Sequence, residues 1–316
     1  MSWEQILQND RPGEPLRQRI DALFAEQRET WPMLRDGEAS LAHLQRKTLT
    51  SDGATVVVQV NPARRRSTLA KTDAQSVAAR RCFLCPENMP VEERGVAFEN
   101  LVIMPNPFPV LPLHCTIAAR EHRPQQIEGQ VGRMLRLAAE IGPNLAVFYN
   151  GPRCGASAPD HFHFQAAVAK EIPILAGERG LPIGRSLFAT TNFGRHMIVA
   201  RGGDLMIVER AIERAFNALR ELQEPADEPM LNLLAYHDGT HYKAILFPRR
   251  AHRPACYFAT GPDQLLISPA VLEMAGVLVA TEAEHFERID AEIARGIYQE
   301  VSIGDADFAR LAAKII

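Results

Sequence analysis

The segment Asn150-Gly-Pro-Arg-Cys-Gly-Ala-Ser-Ala-Pro-Asp-His-Phe-His-Phe-Gln165 constrains this chain more than any other. A small-residue turn leads into polar residues at every second position, His161, His163 and Gln165. If the segment is a strand, alternation sets these three side chains on one face, roughly 7 Å apart per two residues. Two imidazoles and an amide beside a loop rich in backbone N–H groups suit a phosphate ester under attack. One imidazole can act as nucleophile while the amide donates to phosphoryl oxygens without serving as acid or base. The bland alternative is a polar strand face with hydrogen-bonded histidines. The preceding Gly155-Ala-Ser157 and the trailing Gln165 weigh against it.

A chain of 316 residues, 46% hydrophobic and 23% charged, can bury a substantial core as one large domain or two. The formal net charge of −3 argues against a dedicated nucleic-acid binder. No apolar run approaches the ~20 residues needed to cross a bilayer, which predicts no membrane association. The opening Met-Ser-Trp-Glu-Gln-Ile-Leu lacks a basic-then-apolar signal pattern, so the expected location is cytoplasmic. Five cysteines are too few and too odd in number for a disulfide framework in that compartment. Cys115 and Cys256 sit in apolar surroundings and read as packing residues.

Periodicity divides the chain into residues 1–80, 81–175 and 176–316. The first part carries a helix with Leu16, Ile20, Leu23 and Phe24 at helical spacing, then a hairpin turning at Asp52-Gly53. The basic run Arg64–Arg66 reads as a solvated surface loop. In the second part, strands at Leu101–Met104 and His114–Ala118 flank a proline-rich turn. A helix bearing Ile127, Val131, Leu135 and Ala138 follows, then a strand at Asn144–Asn150 and the strand of His161 and His163. The third part repeats that order: a helix through Val208, Ile212, Phe216 and Leu219, then strands at Leu231–Tyr236 and His241–Phe247. A final helix is expected to start at Ser268-Pro269, a hydroxyl cap with proline at the first position. His241-Tyr-Lys243 then stands where the earlier part has His161-Phe-His163. This suggests a duplication in which the second copy lost the nucleophile and kept a cation, Lys243, able to hold a substrate phosphate.

Cys82-Phe-Leu-Cys85 supplies two soft ligands from a tight turn. Zinc favours thiolate and imidazole in groups of four, so two histidines are wanted. His122 and His161 are the candidates, with His114 as the rival to His122. A Cys82–Cys85–His122–His161 site would be a structural zinc that clamps the N-terminal segment to the catalytic strand and fixes His163.

Gly155-Ala-Ser157 with His161-Phe-His163-Phe-Gln165 resembles the signature of the galactose-1-phosphate uridylyltransferase branch of the histidine-triad (HIT-like) superfamily. In that branch His-x-His-x-Gln replaces the His-x-His-x-His of the hydrolases. The form here is most similar to GDP-hexose phosphorylases and also to diadenosine tetraphosphate phosphorylases. Asn106-Pro-Phe-Pro and the Glu121-His122 corner fit the first half of that fold. One departure is Pro159-Asp160, which puts one extra residue between Ser157 and His161.

The resemblance implies an α+β, HIT-like fold of two tandem related halves, each with an antiparallel sheet and packed helices. It implies a nucleotidyltransferase that acts on a nucleoside diphosphate sugar through a nucleotidyl-histidine, with phosphate as acceptor. A hexose-1-phosphate uridylyltransferase, a dinucleoside polyphosphate phosphorylase and a silent nucleotide-binding protein are the alternatives. His163, Gln165 and His161 form the expected catalytic group. Asn150, Gly155, Ser157, Lys243, His241 and Arg153 are the expected substrate contacts. The expected partners are small molecules, in a monomer with a pseudo-twofold repeat or a homodimer.

Overall fold

Strict alternation and short apolar runs become strands, and most of them join one sheet. The structure, a computed structural model, describes residues 1–51, 53–62, 69, 74–176, 181–182 and 186–315. Asp52 and the run Arg64–Arg66 lie outside the described residues. The expected first helix is Leu16–Thr30, with Leu16, Ile20, Leu23 and Phe24 buried. The hairpin is β1 (Arg46–Ser51) and β2 (Ala54–Val60), paired antiparallel. The first half then contributes β3 (Val96–Phe98), β4 (Leu101–Pro105), β5 (Cys115–Ala119), β6 (Leu145–Asn150) and β7 (His163–Val168). The second contributes β8 (Leu181–Pro182), β9 (Leu187–Asn192), β10 (Arg195–Gly202), β11 (Leu231–His237) and β12 (Tyr242–Pro248), with β13 (Val277–Ala280) further on.

The two halves share a single ten-stranded sheet in the order β3-β4-β5-β7-β6-β11-β12-β10-β9-β8. That order is a palindrome about the β6–β11 seam, an arrangement that two copies of one unit related by a twofold axis would produce. Phe148 pairs with Gln165 on one side of the seam and Leu234 with Ile245 on the other, and Leu234 pairs with Phe148 across it. A twofold axis normal to the sheet therefore equates Gln165 with Ile245 and His163 with Lys243.

Alternation distributes the core over both faces. Phe164, Val147 and Leu233 face the helices Val131–Ile141 and Leu205–Leu222, whose apolar stripes carry Met134, Leu135, Val208 and Ile212. Asp204 caps the second of these through the amides of Met206 and Ile207, an arrangement worth about 1 kcal/mol. Phe148, Leu234, Ile245 and Phe247 face the opposite side, against Val56 and Val58 of β2, Leu278 of β13, and Tyr298 of the helix Ala291–Val301. The small sheet runs β1-β2-β13, with β13 parallel to β2. Both faces of the main sheet are thus covered, which explains the near-continuous apolar runs in β6 and β11.

Two local expectations differ. β7 begins at His163, so His161 lies in the bend before the strand. The helix expected at Ser268-Pro269 begins at Val271 and spans only Val271–Met274, with Ala270 as its cap. Ser268 spends its hydroxyl elsewhere, within reach of His252 Nε2 at 3.2 Å and of Arg253 Nε at 3.0 Å. No helix among the described residues is long and apolar enough to cross a membrane.

Candidate active site

The start of β7 places His163 and Gln165 on the same face, both lining a cleft of about 670 Å³. His163 is buried, and its Nδ1 donates to the His161 carbonyl at 2.8 Å. A carbonyl can only accept, so Nδ1 carries the proton and Nε2 keeps its lone pair. Burial pushes the His163 imidazole down to about 4, so the ring is neutral near pH 7. The backbone around it is held by Gln125, which accepts from His163 N at 2.7 Å and donates to the His163 carbonyl at 2.9 Å.

Gln165 is oriented by His114, on the neighbouring turn. His114 Nδ1 accepts from the Val110 amide at 3.1 Å, so its Nε2 carries the proton and donates to Gln165 Oε1 at 2.7 Å. The glutamine oxygen is thereby occupied, leaving its amide NH₂ as the donor for the cleft. Asn150 is treated the same way: its Oδ1 accepts from Asn232 Nδ2 at 2.9 Å and Val271 N at 2.8 Å. Its amide nitrogen is then the group left to offer. Gly155 and Ser157 also line the cleft. Gly155 has φ +98°, and a Cβ there would come within 2.6 Å of Ala270 Cβ. Glycine is what lets this loop close against the segment before Val271.

The bend before β7 turns His161 away from that pair. Its Nε2 donates to the Ala119 carbonyl at 2.8 Å, which leaves the Nδ1 lone pair facing Cys82 Sγ at 3.3 Å and Cys85 Sγ at 3.6 Å. His122 Nδ1 lies 3.2 Å from Cys85 Sγ. One donor atom from each of Cys82, Cys85, His122 and His161 falls within 4.8 Å of all the others, a grouping that can hold a metal ion. The donor set fits such a use. Burial, then the neighbouring Cys82 sulfur, pushes the Cys85 thiol up to about 12, a state that a bound cation would reverse. His161 also has the outward hydrogen bond that ligating histidines commonly make. His114, the rival ligand, is instead committed to Gln165.

The second half supplies a wall of the cleft, through His252, Arg253, Ser268, Ala270 and Val271. Arg249 ties this wall to the loop that carries Cys154 and Gly155. Wholly buried, it donates to Asn232 Oδ1 and to the carbonyls of Pro269 at 3.1 Å, Ala251 at 3.0 Å and His252 at 3.0 Å. Asn232 in turn donates to the Cys154 carbonyl at 2.8 Å. From the end of the N-terminal part, Arg80 lines the cleft while donating to the Ser157 carbonyl at 3.1 Å and to Asp160 at 2.8 Å.

Lys243 and His241 are not brought to this cleft. Lys243 pairs with Tyr236 and Arg201, whereas Asn150 pairs with Asn232, so Lys243 stands ~13 Å further along the strands. The reason is the symmetry itself: a twofold axis normal to the sheet reverses strand direction, so equivalent residues fall toward opposite ends. Arg153 is exposed, donates to the Glu228 carbonyl at 3.1 Å, and is absent from the cleft lining. Asn232, His252, Arg253 and Arg80 carried no spacing signal that marked them as site residues. The tertiary pairing alone brings them in.

The family model "Domain of unknown function (DUF4922)" matches residues 23–168, and "GDPGP1-like, C-terminal domain" matches residues 175–316. Residues 175–316 are thus similar to a GDPGP1-like C-terminal domain. Over the whole chain the fold is that of yeast Ap4A phosphorylase Apa2, with a TM-score of 0.61 at 14% identity, covering 92% of this chain and 98% of that one. The same enzyme in complex with AMP gives 0.59 at 16% identity, covering 92% and 97%. Its complex with Ap4A gives 0.52 at 13% identity, covering 87% and 97%. Comparison with curated proteins finds no match in sequence. The whole chain therefore shares the fold of yeast Ap4A phosphorylase Apa2, and its C-terminal part is similar to a GDPGP1-like domain.

Proposed function

We propose that this chain is a nucleotidyltransferase of the phosphorylase type, acting on a nucleoside diphosphate sugar by two successive displacements at His163. The observation that carries this is the tautomer of His163: Nδ1–H is spent on the His161 carbonyl, and a neutral ring presents Nε2 in the cleft. In the first step Nε2 attacks the α-phosphorus. The N–P bond forms, the bond to the bridging oxygen breaks, and its electron pair leaves on sugar 1-phosphate. In the second an oxygen of inorganic phosphate attacks the same phosphorus, and the pair of the N–P bond returns to the imidazole. The product is a nucleoside diphosphate. Neither leaving group needs a strong acid, which suits a site with glutamine at position 165. Such transfers depend on position and charge neutralisation. Gln165 and Asn150 offer amide donors, and the loop at Gly155–Ser157 lines the same space.

In this reading residues 81–175 supply the nucleophile, while 176–316 complete the cleft around it, with 1–80 as the lead-in. Cys82, Cys85, His122 and His161 would hold a structural zinc, which would supply a cross-link between the Cys82 turn and the base of β7. No chemical step passes through it. The likeness to Ap4A phosphorylase favours a second donor class, dinucleoside polyphosphates, for the same two steps.

Incubation with a panel of nucleoside diphosphate sugars and Ap4A, without phosphate, tests the proposal by intact-protein mass. The expected result is a gain of one nucleoside monophosphate, absent in His163→Ala, whose fold is retained. Near-normal turnover by that variant would refute the mechanism.

A further inference from the structure

A second cavity, of about 520 Å³, lies at the opposite end of β6 from the cleft. Asn144, just ahead of β6, lines this cavity, whereas Asn150, the last residue of the strand, lines the cleft ~20 Å away. The twofold relation across the β6–β11 seam accounts for the placement. It equates Phe148 with Leu234, and therefore Asn150 with Tyr236, which lines the second cavity. It likewise equates residues 249–253, which follow β12, with 169–173, which follow β7. His252 and Arg253 of the former wall the cleft, and Ala169, Lys170 and Ile172 of the latter wall the cavity. The two sites are thus built from matching parts of the chain, with the halves exchanged.

Where the cleft has His163, this end of the sheet has Lys243, the register partner of Tyr236. The cavity lining itself carries Arg17 and Lys170 and, among the described residues, no carboxylate. Arg17 gives Nε and Nη2 to Asp21 at 3.0 and 2.6 Å, which leaves Nη1 buried without a partner. The acids next to the lining in sequence are also matched: Glu171 faces Arg46 at 3.4 Å, and Asp238 faces Arg201 at 3.8 Å. Lys170, the Asn144 side chain and the Tyr236 hydroxyl make no hydrogen bond or ion pair among the described residues. Burial raises the Tyr236 phenol, which therefore keeps its proton and can donate. Val168, Ile172 and Leu175 set apolar surface beside these donors. Cations, a phenol and an amide suit a phosphate group, and the apolar surface suits the carbon body that carries it.

We propose that this cavity is a second, non-catalytic site that binds a phosphate monoester. With no imidazole among the described lining residues, it holds its ligand without forming a nucleotidyl-histidine. A nucleoside monophosphate and a sugar 1-phosphate share the required chemistry, and binding separates them.

Equilibrium dialysis of AMP, glucose 1-phosphate and inorganic phosphate against the full chain tests this, with thermal melts as the folding control. Asn150→Ala marks the cleft, while Lys170→Glu and Tyr236→Phe mark the cavity. The wild type is expected to bind a monoester at a site indifferent to Asn150→Ala. Lys170→Glu should weaken that binding by about tenfold or more, and the nearly isosteric Tyr236→Phe several-fold, with melting midpoints unchanged. AMP alone at this site identifies a nucleotide seat, and glucose 1-phosphate alone a sugar-phosphate seat; either supports the proposal. Inorganic phosphate, which lacks a carbon body, should bind there more weakly, and equal affinity would overturn the monoester reading. Absence of binding, loss of all binding in Asn150→Ala, or indifference to both cavity variants overturns the proposal. The His163 adduct should form in Lys170→Glu as in the wild type, so the proposed function is judged separately.

Discussion

At His114 a single ring decides what Gln165 can do. The Val110 amide fixes the imidazole tautomer, and the tautomer fixes which end of the glutamine amide faces the cleft. His114→Phe keeps the bulk and removes that lock. It is expected to lower turnover roughly 10–100-fold, short of the ~100–1000-fold that loss of a transition-state donor costs, with little change in substrate KM. Gln165→Ala provides the control. If His114 acts through the glutamine, adding His114→Phe to Gln165→Ala should cost almost nothing further. Additive losses would show an independent role. The residues that spacing marked, His163, Gln165, Cys82, Cys85 and His161, lie at the cleft or in the metal-type cluster, and His122, chosen over His114 to complete the four, lies in that cluster. Asn232 and Arg253 were not legible, because each is an isolated polar residue whose neighbours are set by strand order. Lys243 was legible as the counterpart of His163 but not as distant, since symmetry in sequence does not disclose the direction of the axis.

The connection between elements is carried by a buried acid. Glu228, in the segment before β11, accepts from the Ile127 amide at 2.5 Å and from the Tyr149 hydroxyl at 2.7 Å, joining the lead into the helix Val131–Ile141 to β6. Burial pushes its carboxyl up to about 7, against the opposing effect of those two donors. The folded state therefore holds the proton more tightly than the unfolded chain, whose glutamate titrates near ~4.3. Stability from this group is complete below that value and is lost as pH rises toward 7, by up to roughly 3 kcal/mol. Glu228→Gln should flatten that part of the profile, measured by urea unfolding at stepped pH. An unchanged slope would exclude Glu228 as its source. Elements with a clean period, such as β4, β5, β11 and the helices Val131–Ile141 and Leu205–Leu222, were readable from the chain. β9 and β10 were not. β10 starts with Arg195 and His196, both buried, where charge suggests a surface. Arg195 is accommodated by the Met274 carbonyl at 2.9 Å and the Asn192 side chain at 2.6 Å, partners that only the folded chain supplies. The parallel pairing of β13 with β2 joins distant parts of the chain and leaves no local pattern.

Over the whole molecule, the Cys82–Cys85 turn is held to the main sheet by two things. One is a small apolar cluster of Ile6, Cys82, Leu84, Met89, Val102, Met104, Ala118 and Ala158. The other is the four-residue grouping with His122 and His161. The chain that leaves this turn passes through Asn88 and Pro90 to Glu93, all lining the cleft. A cation at the four donors would therefore set the position of that wall as well as the base of β7. Its loss should loosen the wall first, because the ten-stranded sheet has its own core on both faces. Protein purified without chelator is expected to carry one zinc per chain by elemental analysis. Chelation, or Cys85→Ser, should lower the melting midpoint and open the segment from Cys82 to Glu93 to hydrogen exchange before β6, β7 or β11. Each cysteine should matter about equally, since tetrahedral zinc loses affinity with any one ligand. Zinc-free protein with the same midpoint and the same exchange pattern would leave the four residues as a hydrogen-bonded cluster and the wall as self-supporting.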